Sequence, residues 1–190
     1  MNLVFATHNP HKTKEIRKIT KGLCTVLDLH DIGCIEKIPE TSDSLQGNAL
    51  QKAQYVNVQY GLDCFADDTG LEVEALEGRP GIYSARYAGE HCSFQDNINK
   101  VLLEMKDVKN RKASFTTVIA LLYKGKKYFF EGRIDGEITK EISGKEGFGY
   151  DPIFKPNGYH ETFAALGDDE KNKISHRAIA IQKLLAFLKM

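Results

Sequence analysis

Two acids stand side by side in Phe65-Ala66-Asp67-Asp68-Thr69-Gly70. Adjacent carboxylates repel unless positive charge offsets them, and where phosphates are bound nearby Mg2+ is the usual answer. Neighbours on a strand point to opposite faces, so one of the two acids leads the chemistry. A second set, Thr7-His8-Asn9-Pro10-His11-Lys12, offers a hydroxyl, an amide and an ammonium able to hold phosphate oxygens. It is not a Walker loop, because Gly-x-x-x-x-Gly-Lys is missing. A third set is Glu40 with Asn48 and Lys52; the last two, four apart, share a helix face, and Glu40 is a candidate second metal carboxylate. The fourth combines Phe148-Gly149-Tyr150-Asp151 with Lys171 and Ser175-His176-Arg177. Aromatic rings suit stacking on a base, and Arg suits acceptor oxygens. Each set also has a plain reading: helix capping by Thr7 or Asn9, a turn over Asp67–Gly70, a surface acid at Glu40, a solvated His-Arg pair.

Several elements must position these groups. Leu3 to Ala6 reads as a buried strand, followed by a helix with Ile16 and Ile19 on one face and Glu15 near its start. A strand, a polar turn and a helix in that order present backbone N–H groups to an anion. Leu23–Leu29 reads as a second strand. Leu45, Ala49, Ala53, Val56 and Tyr60 predict a helix that Gly61 ends. Asp63–Ala66 and Leu71–Leu76 read as strands flanking the Asp67–Gly70 turn, and residues 78–88 as a loop. Phe94, Ile98, Val101, Leu102 and Met105 predict a third helix. Ser114–Tyr123 and Lys127–Ile138 predict a hairpin turning at Lys124-Gly125-Lys126. A last helix is predicted through Ile174, Ala178, Ile181, Leu185 and Leu188. Ser175 as its N-cap sets His176 and Arg177 in the first turn, where the helix dipole disfavours a cation unless an anionic partner offsets it. Interleaved strands and helices give an α/β or α+β domain with a mixed sheet.

The 190 residues carry 26 Lys and Arg against 26 Asp and Glu, so the net charge is zero. That argues against coating nucleic acid or an anionic membrane by bulk charge, while leaving room for a local basic pocket. Cys24, Cys34, Cys64 and Cys92 form no Cys-x-x-Cys pair, which argues against a zinc site or a disulfide framework and for reduced, cytoplasmic thiols. The N-terminus lacks the pattern of a signal peptide, and no apolar run is long enough to span a membrane.

Five stretches in order, Ala6-Thr7-x-Asn9-x-x-Lys12, Ala66-Asp67-Asp68-Thr69-Gly70-Leu71, Pro80 to Tyr87, Gly147 to Phe154 and Ile174 to Arg177, closely resemble the non-canonical purine nucleoside triphosphate pyrophosphatases, the inosine triphosphatase or Ham1-like family. The resemblance runs over essentially the whole chain. It implies one domain over residues 1–190, with a long mixed β-sheet in a two-lobed α/β body, flanking helices, and a nucleotide cleft between the lobes. It implies a cytoplasmic homodimer that hydrolyses ITP, dITP and XTP to the monophosphate and pyrophosphate with Mg2+, clearing deaminated purines from the nucleotide pool. Carried over by motif, Thr7, His8, Asn9, Pro10, His11 and Lys12 hold the triphosphate, with Lys52 a phosphate neighbour and Thr69 touching substrate. Asp68 is the catalytic base and a metal ligand, and Glu40 the other metal carboxylate. Phe148, Gly149, Tyr150 and Asp151 line the base pocket, which Lys171, His176 and Arg177 complete. Two positions depart from the pattern: Ser42, where relatives commonly have Gly, and Gly47, where many have Glu. A Maf-like pyrophosphatase and a non-catalytic nucleotide-binding module are the alternative readings. Retention of Lys12, Lys52, Asp67 and Asp68 argues against the second.

Overall fold

The structure, a computed structural model, describes residues 2–189. Its strands are β1 (Asn2–Phe5), β2 (Thr25–Leu27), β3 (Cys64–Val73), β4 (Pro80–Gly81), β5 (Lys112–Tyr123), β6 (Lys126–Ile138) and β7 (Phe154–Pro156). Its helices are α1 (Pro10–Ile19), α2 (Leu45–Tyr60), α3 (Phe94–Glu104), α4 (Phe163–Ile174) and α5 (His176–Leu188). The strand order is β2-β1-β3-β5-β6-β7, with β4 attached to β3. β1 is parallel to β2 and β3, whereas β4 and β7 pair antiparallel, so the sheet is mixed, as expected.

The chain forms two compact units. The first comprises Met1–Asp68, Thr117–Gly132 and Arg177–Met190; the second comprises Thr69–Thr116 and Arg133–His176. In the first unit, alternate residues of β1 serve two apolar clusters. Val4 and Ala6 pack with Ala49, Ala53 and Val56 of α2. Leu3 and Phe5 pack with Ile16 of α1 and Ile181 and Leu184 of α5. Covering both faces explains why β1 reads as a continuous apolar run rather than an alternating one. The second unit is built around Leu71, Val73, Ile98, Val101, Phe115, Phe154 and Phe163.

Local chemistry sets the element ends. Asn9 caps α1 by accepting from the N–H groups of His11 and Lys12, and Pro10 takes the first helical position, where its missing N–H costs nothing. Gly61 ends α2 in the left-handed conformation at φ 65°. The β5–β6 hairpin turns through Lys124 and Gly125 at φ 49° and 74°, positive at both positions as a two-residue turn requires.

Two expectations are corrected. Asp67–Gly70 is no turn: β3 runs unbroken through it from Cys64 to Val73. Gly70 is small because β4 passes close, and a Cβ on it would lie 2.8 Å from the carbonyl oxygen of Gly81. The last helix also begins later than Ile174. Ser175 is extended (φ −66°, ψ 157°) and separates α5 from α4, which holds Ile174 and was not anticipated. Gly167, at φ 81° inside α4, interrupts any apolar stripe that would have announced it.

Candidate active site

The pleat of β3 sorts the two adjacent acids. Phe65 packs on the α1–α5 side of the first unit, and Asp67, two residues on, faces the same way. Its Oδ1 accepts from Lys12 Nζ of α1 at 2.8 Å and its Oδ2 from Arg177 Nε of α5 at 3.0 Å. Arg177 Nη1 also donates to Glu15 Oε2 at 2.6 Å. Ala66 packs on the α2 side, and Asp68 follows it there. Asp68 Oδ2 accepts from Asn48 Nδ2 at 3.0 Å, and Lys52 Nζ stands 3.9 Å from Oδ1 while also pairing with Glu40. Asn48 Oδ1 accepts from Ser42 N at 2.9 Å, which leaves the amide donor end to face Asp68. β1 pairs with β3 through Val4 with Cys64 and Phe5 with Phe65, so both acids follow in β3 just past the carboxyl end of β1, on the side where ligands usually bind such sheets.

The electrostatics separate the acids further. Burial would raise Asp67, but Lys12, Arg177 and Lys52 outweigh it and hold its carboxyl below the usual range. Asp68 is pushed up, chiefly by burial with help from Glu40, against the pull of Lys52 and Lys12. Burial lowers Lys12, with Lys52 and Arg177 adding to the effect. Lys52, despite burial, is raised by Asp68, Glu40 and Asp67. Three cations (Lys12, Lys52, Arg177) face four carboxylates (Glu15, Glu40, Asp67, Asp68), and the surplus negative charge sits with Asp68 and Glu40. Their carboxylates are the hard oxygen donors that a Mg2+ ion accepts.

Ser42 and Gly47 crowd one another. A Cβ on Gly47 would overlap the Ser42 side chain, so a serine at one position requires glycine at the other. The backbone N–H of Ser42 still fixes Asn48, so the departure leaves the Asp68 partner in place.

The expected base-pocket residues Phe148 to His176 lie in the second unit. Phe148 N–H donates to Asp151 Oδ2 at 2.7 Å, and Lys171 Nζ donates to the same oxygen at 2.5 Å. That ammonium also stands 4.8 Å from the centre of the Phe148 ring. Gly147, at φ 77°, has no room for a Cβ against the Asp151 carboxylate. Tyr150 is buried and donates its hydroxyl to Ser84 O at 2.8 Å. His176 stacks on Phe115, ring centres 4.5 Å apart. Thr69 is half-buried, Gly149 sits at φ 61°, and His8 and His11 are exposed, with His8 Nε2 bonded to Glu36 O at 2.8 Å. Glu15 went unassigned in the sequence; its signal is an acid beside Ile16 on the apolar side of α1, buried to 6 % exposure.

Comparison with known proteins gives one consistent picture. A family model described as the Ham1 family matches residues 3–187. The dITP/XTP pyrophosphatase of Porphyromonas gingivalis is 55% identical, over 98% of this chain and 96% of its own length. That of Flavobacterium johnsoniae is 53% identical, over 99% and 98%. Among solved structures, the Ham1 protein of Staphylococcus aureus matches with a TM-score of 0.89 at 37% identity, covering 100% of this chain and 98% of that one. A HAM1 protein from Coxiella burnetii matches with a TM-score of 0.90 at 36% identity and the same coverage.

Proposed function

The chain belongs to the Ham1 family, and on that premise we propose how its residues divide the work on a nucleotide. It is a nucleoside triphosphate pyrophosphohydrolase that acts on non-canonical purine nucleotides. ITP, dITP and XTP are the proposed substrates, and the monophosphate and pyrophosphate the products. All 190 residues are proposed to work as one enzyme domain.

The triphosphate binds at Thr7–Lys12 and Lys52, the ammonium groups opposing the phosphate charge. Mg2+, held by Glu40 and Asp68, supplies charge neutralisation on the phosphates when bound. Asp68 accepts the proton of the attacking water. The observation that carries this role is the contrast with Asp67. Asp67 is tied to two cations, which hold its carboxyl below the usual range, whereas burial pushes the Asp68 carboxyl up and Asn48 orients it. Phe148, Gly149, Tyr150 and Asp151 are the proposed base pocket, completed by Lys171, His176 and Arg177, with His176 or Arg177 the proposed donor to the oxygen at purine C6. Adenine carries a donor there and is refused, because donor then meets donor. We read the enzyme as a cytoplasmic homodimer. All four cysteines are free thiols, and among the described residues no helix is long and apolar enough to cross a membrane.

Pyrophosphate release from ITP, XTP, GTP and ATP, with Mg2+ and with excess EDTA, tests this reading. Rapid, EDTA-sensitive release from ITP and XTP is expected, with ATP slower by about 25-fold or more, the product of two lost contacts at about fivefold each. Binding without pyrophosphate release would make the chain a nucleotide-binding module, and equal rates on all four would remove base selection.

Lys12→Ala is expected to lower kcat/KM for ITP by about 10- to 150-fold, the worth of one charged hydrogen bond. The loss should be shared between KM and kcat, since charge grows on the departing pyrophosphate. A rise in KM alone would make Lys12 a contributor of uniform binding only.

A further inference from the structure

Phe94 is the first residue of α3 and remains 42% exposed, an unusual place for a large apolar ring. Its backbone is held firmly. Ser93 caps α3 through Asp96 N at 3.2 Å, and Asp96 Oδ2 accepts in return from Ser93 N at 2.8 Å and Ser93 Oγ at 2.7 Å. Deeper in the helix, Ile98 and Val101 are buried in the core of the second unit. The exposed ring meets Phe148, with ring centres 6.0 Å apart and planes tilted by 47°. Asp151 thus engages the N–H of Phe148, the Lys171 ammonium its π system, and Phe94 its ring.

We propose that Phe94 is a positioning residue for base selection, fixing the orientation of the Phe148 ring on which the purine stacks. This rests on the assignment of Phe148 to the base pocket. Asp151 and Lys171 fix the backbone and the charge near the ring, but neither limits rotation about the Phe148 side-chain bonds as a neighbouring ring does. A platform already oriented loses less freedom when the base lands on it, so the contribution falls on nucleotide affinity and not on phosphoryl chemistry.

The test measures ITP hydrolysis and competitive inhibition by inorganic tripolyphosphate, which carries the charge but no base. Phe94→Ala is expected to raise KM for ITP by about 2- to 12-fold, the range of an aromatic pair, with kcat and tripolyphosphate inhibition unchanged. Phe94→Tyr keeps the ring and is expected to restore the wild-type KM. In a Phe148→Ala background the further change Phe94→Ala is expected to add nothing, as a coupled pair requires. If Phe94→Ala leaves KM unchanged while Phe148→Ala raises it, the positioning role is refuted and the base pocket stands. If Phe148→Ala itself leaves KM unchanged, the base-pocket assignment falls and the role of Phe94 with it. An equal loss of tripolyphosphate inhibition in Phe94→Ala would mark a general distortion and also overturn the proposal.

Discussion

Asp68→Asn should abolish turnover of ITP while the protein stays folded. An amide cannot take the proton of the attacking water, and loss of a positioned base alone costs about 10²–10⁴-fold. The amide is also a weaker partner for a divalent cation, so the loss should reach the upper part of that range. The fold should tolerate the change. Burial opposes the charge on Asp68, and a neutral amide in its place carries no such charge. The new side-chain oxygen can still accept from Asn48 Nδ2, as Asp68 Oδ2 does at 3.0 Å. The companion change Asp67→Asn should behave in the opposite sense, because Asp67 joins Lys12 and Arg177 and is fully buried. Single-turnover pyrophosphate release and thermal melting of both variants separate the two roles. Turnover of Asp68→Asn within tenfold of wild type would move the base elsewhere, with Asp67 next in line.

The contrast between these neighbours shows what local sequence could and could not convey. Alternation along a strand was enough to say that Asp67 and Asp68 face opposite ways, and the four-residue spacing of Asn48 and Lys52 was enough to join them on one helix face. Both hold in the structure, where Asn48 and Lys52 meet Asp68 together. The Asp-Asp-Thr-Gly composition nevertheless argued for a turn, since such residues favour turns when their polar groups have no other partner. Here the partners come from far along the chain, Lys12 and Arg177 for one acid and Asn48 and Lys52 for the other, and long-range pairing overrode the local preference. Gly70 signalled a turn for the same reason, yet it answers to the close backbone of Gly81. α4 was missed because Gly167 and the run Asp168-Asp169-Glu170 hide its periodicity. Glu15 was placed on a helix but given no role, because its partner Arg177 is 162 residues away and no local pattern links them.

Arg177 is where that hidden pairing should have its largest effect on stability. The guanidinium is 1% exposed and bridges Glu15 and Asp67 through different nitrogens. Both carboxylates raise its already high pKa against the effect of burial, so it is charged at every working pH. Arg177→Ala removes the guanidinium that two buried acids share. Breaking a buried pair by removing one partner costs about 3–5 kcal/mol. For a chain of this size that lowers Tm by roughly 6–20 °C, taking about 2–4 °C per kcal/mol. Arg177→Lys should recover little of it, because a point charge cannot span two carboxylates as a planar fork does. The same variants, assayed below their melting temperatures on ITP and ATP, test the second role. If the guanidinium also addresses the oxygen at purine C6, the ITP-to-ATP ratio of kcat/KM should fall by about 5- to 150-fold, the cost of one unmade bond. A depressed Tm with the ratio at its wild-type value would confine Arg177 to holding Asp67 and Glu15. A wild-type Tm would mean that the bonds to Glu15 and Asp67 contribute nothing net to the fold.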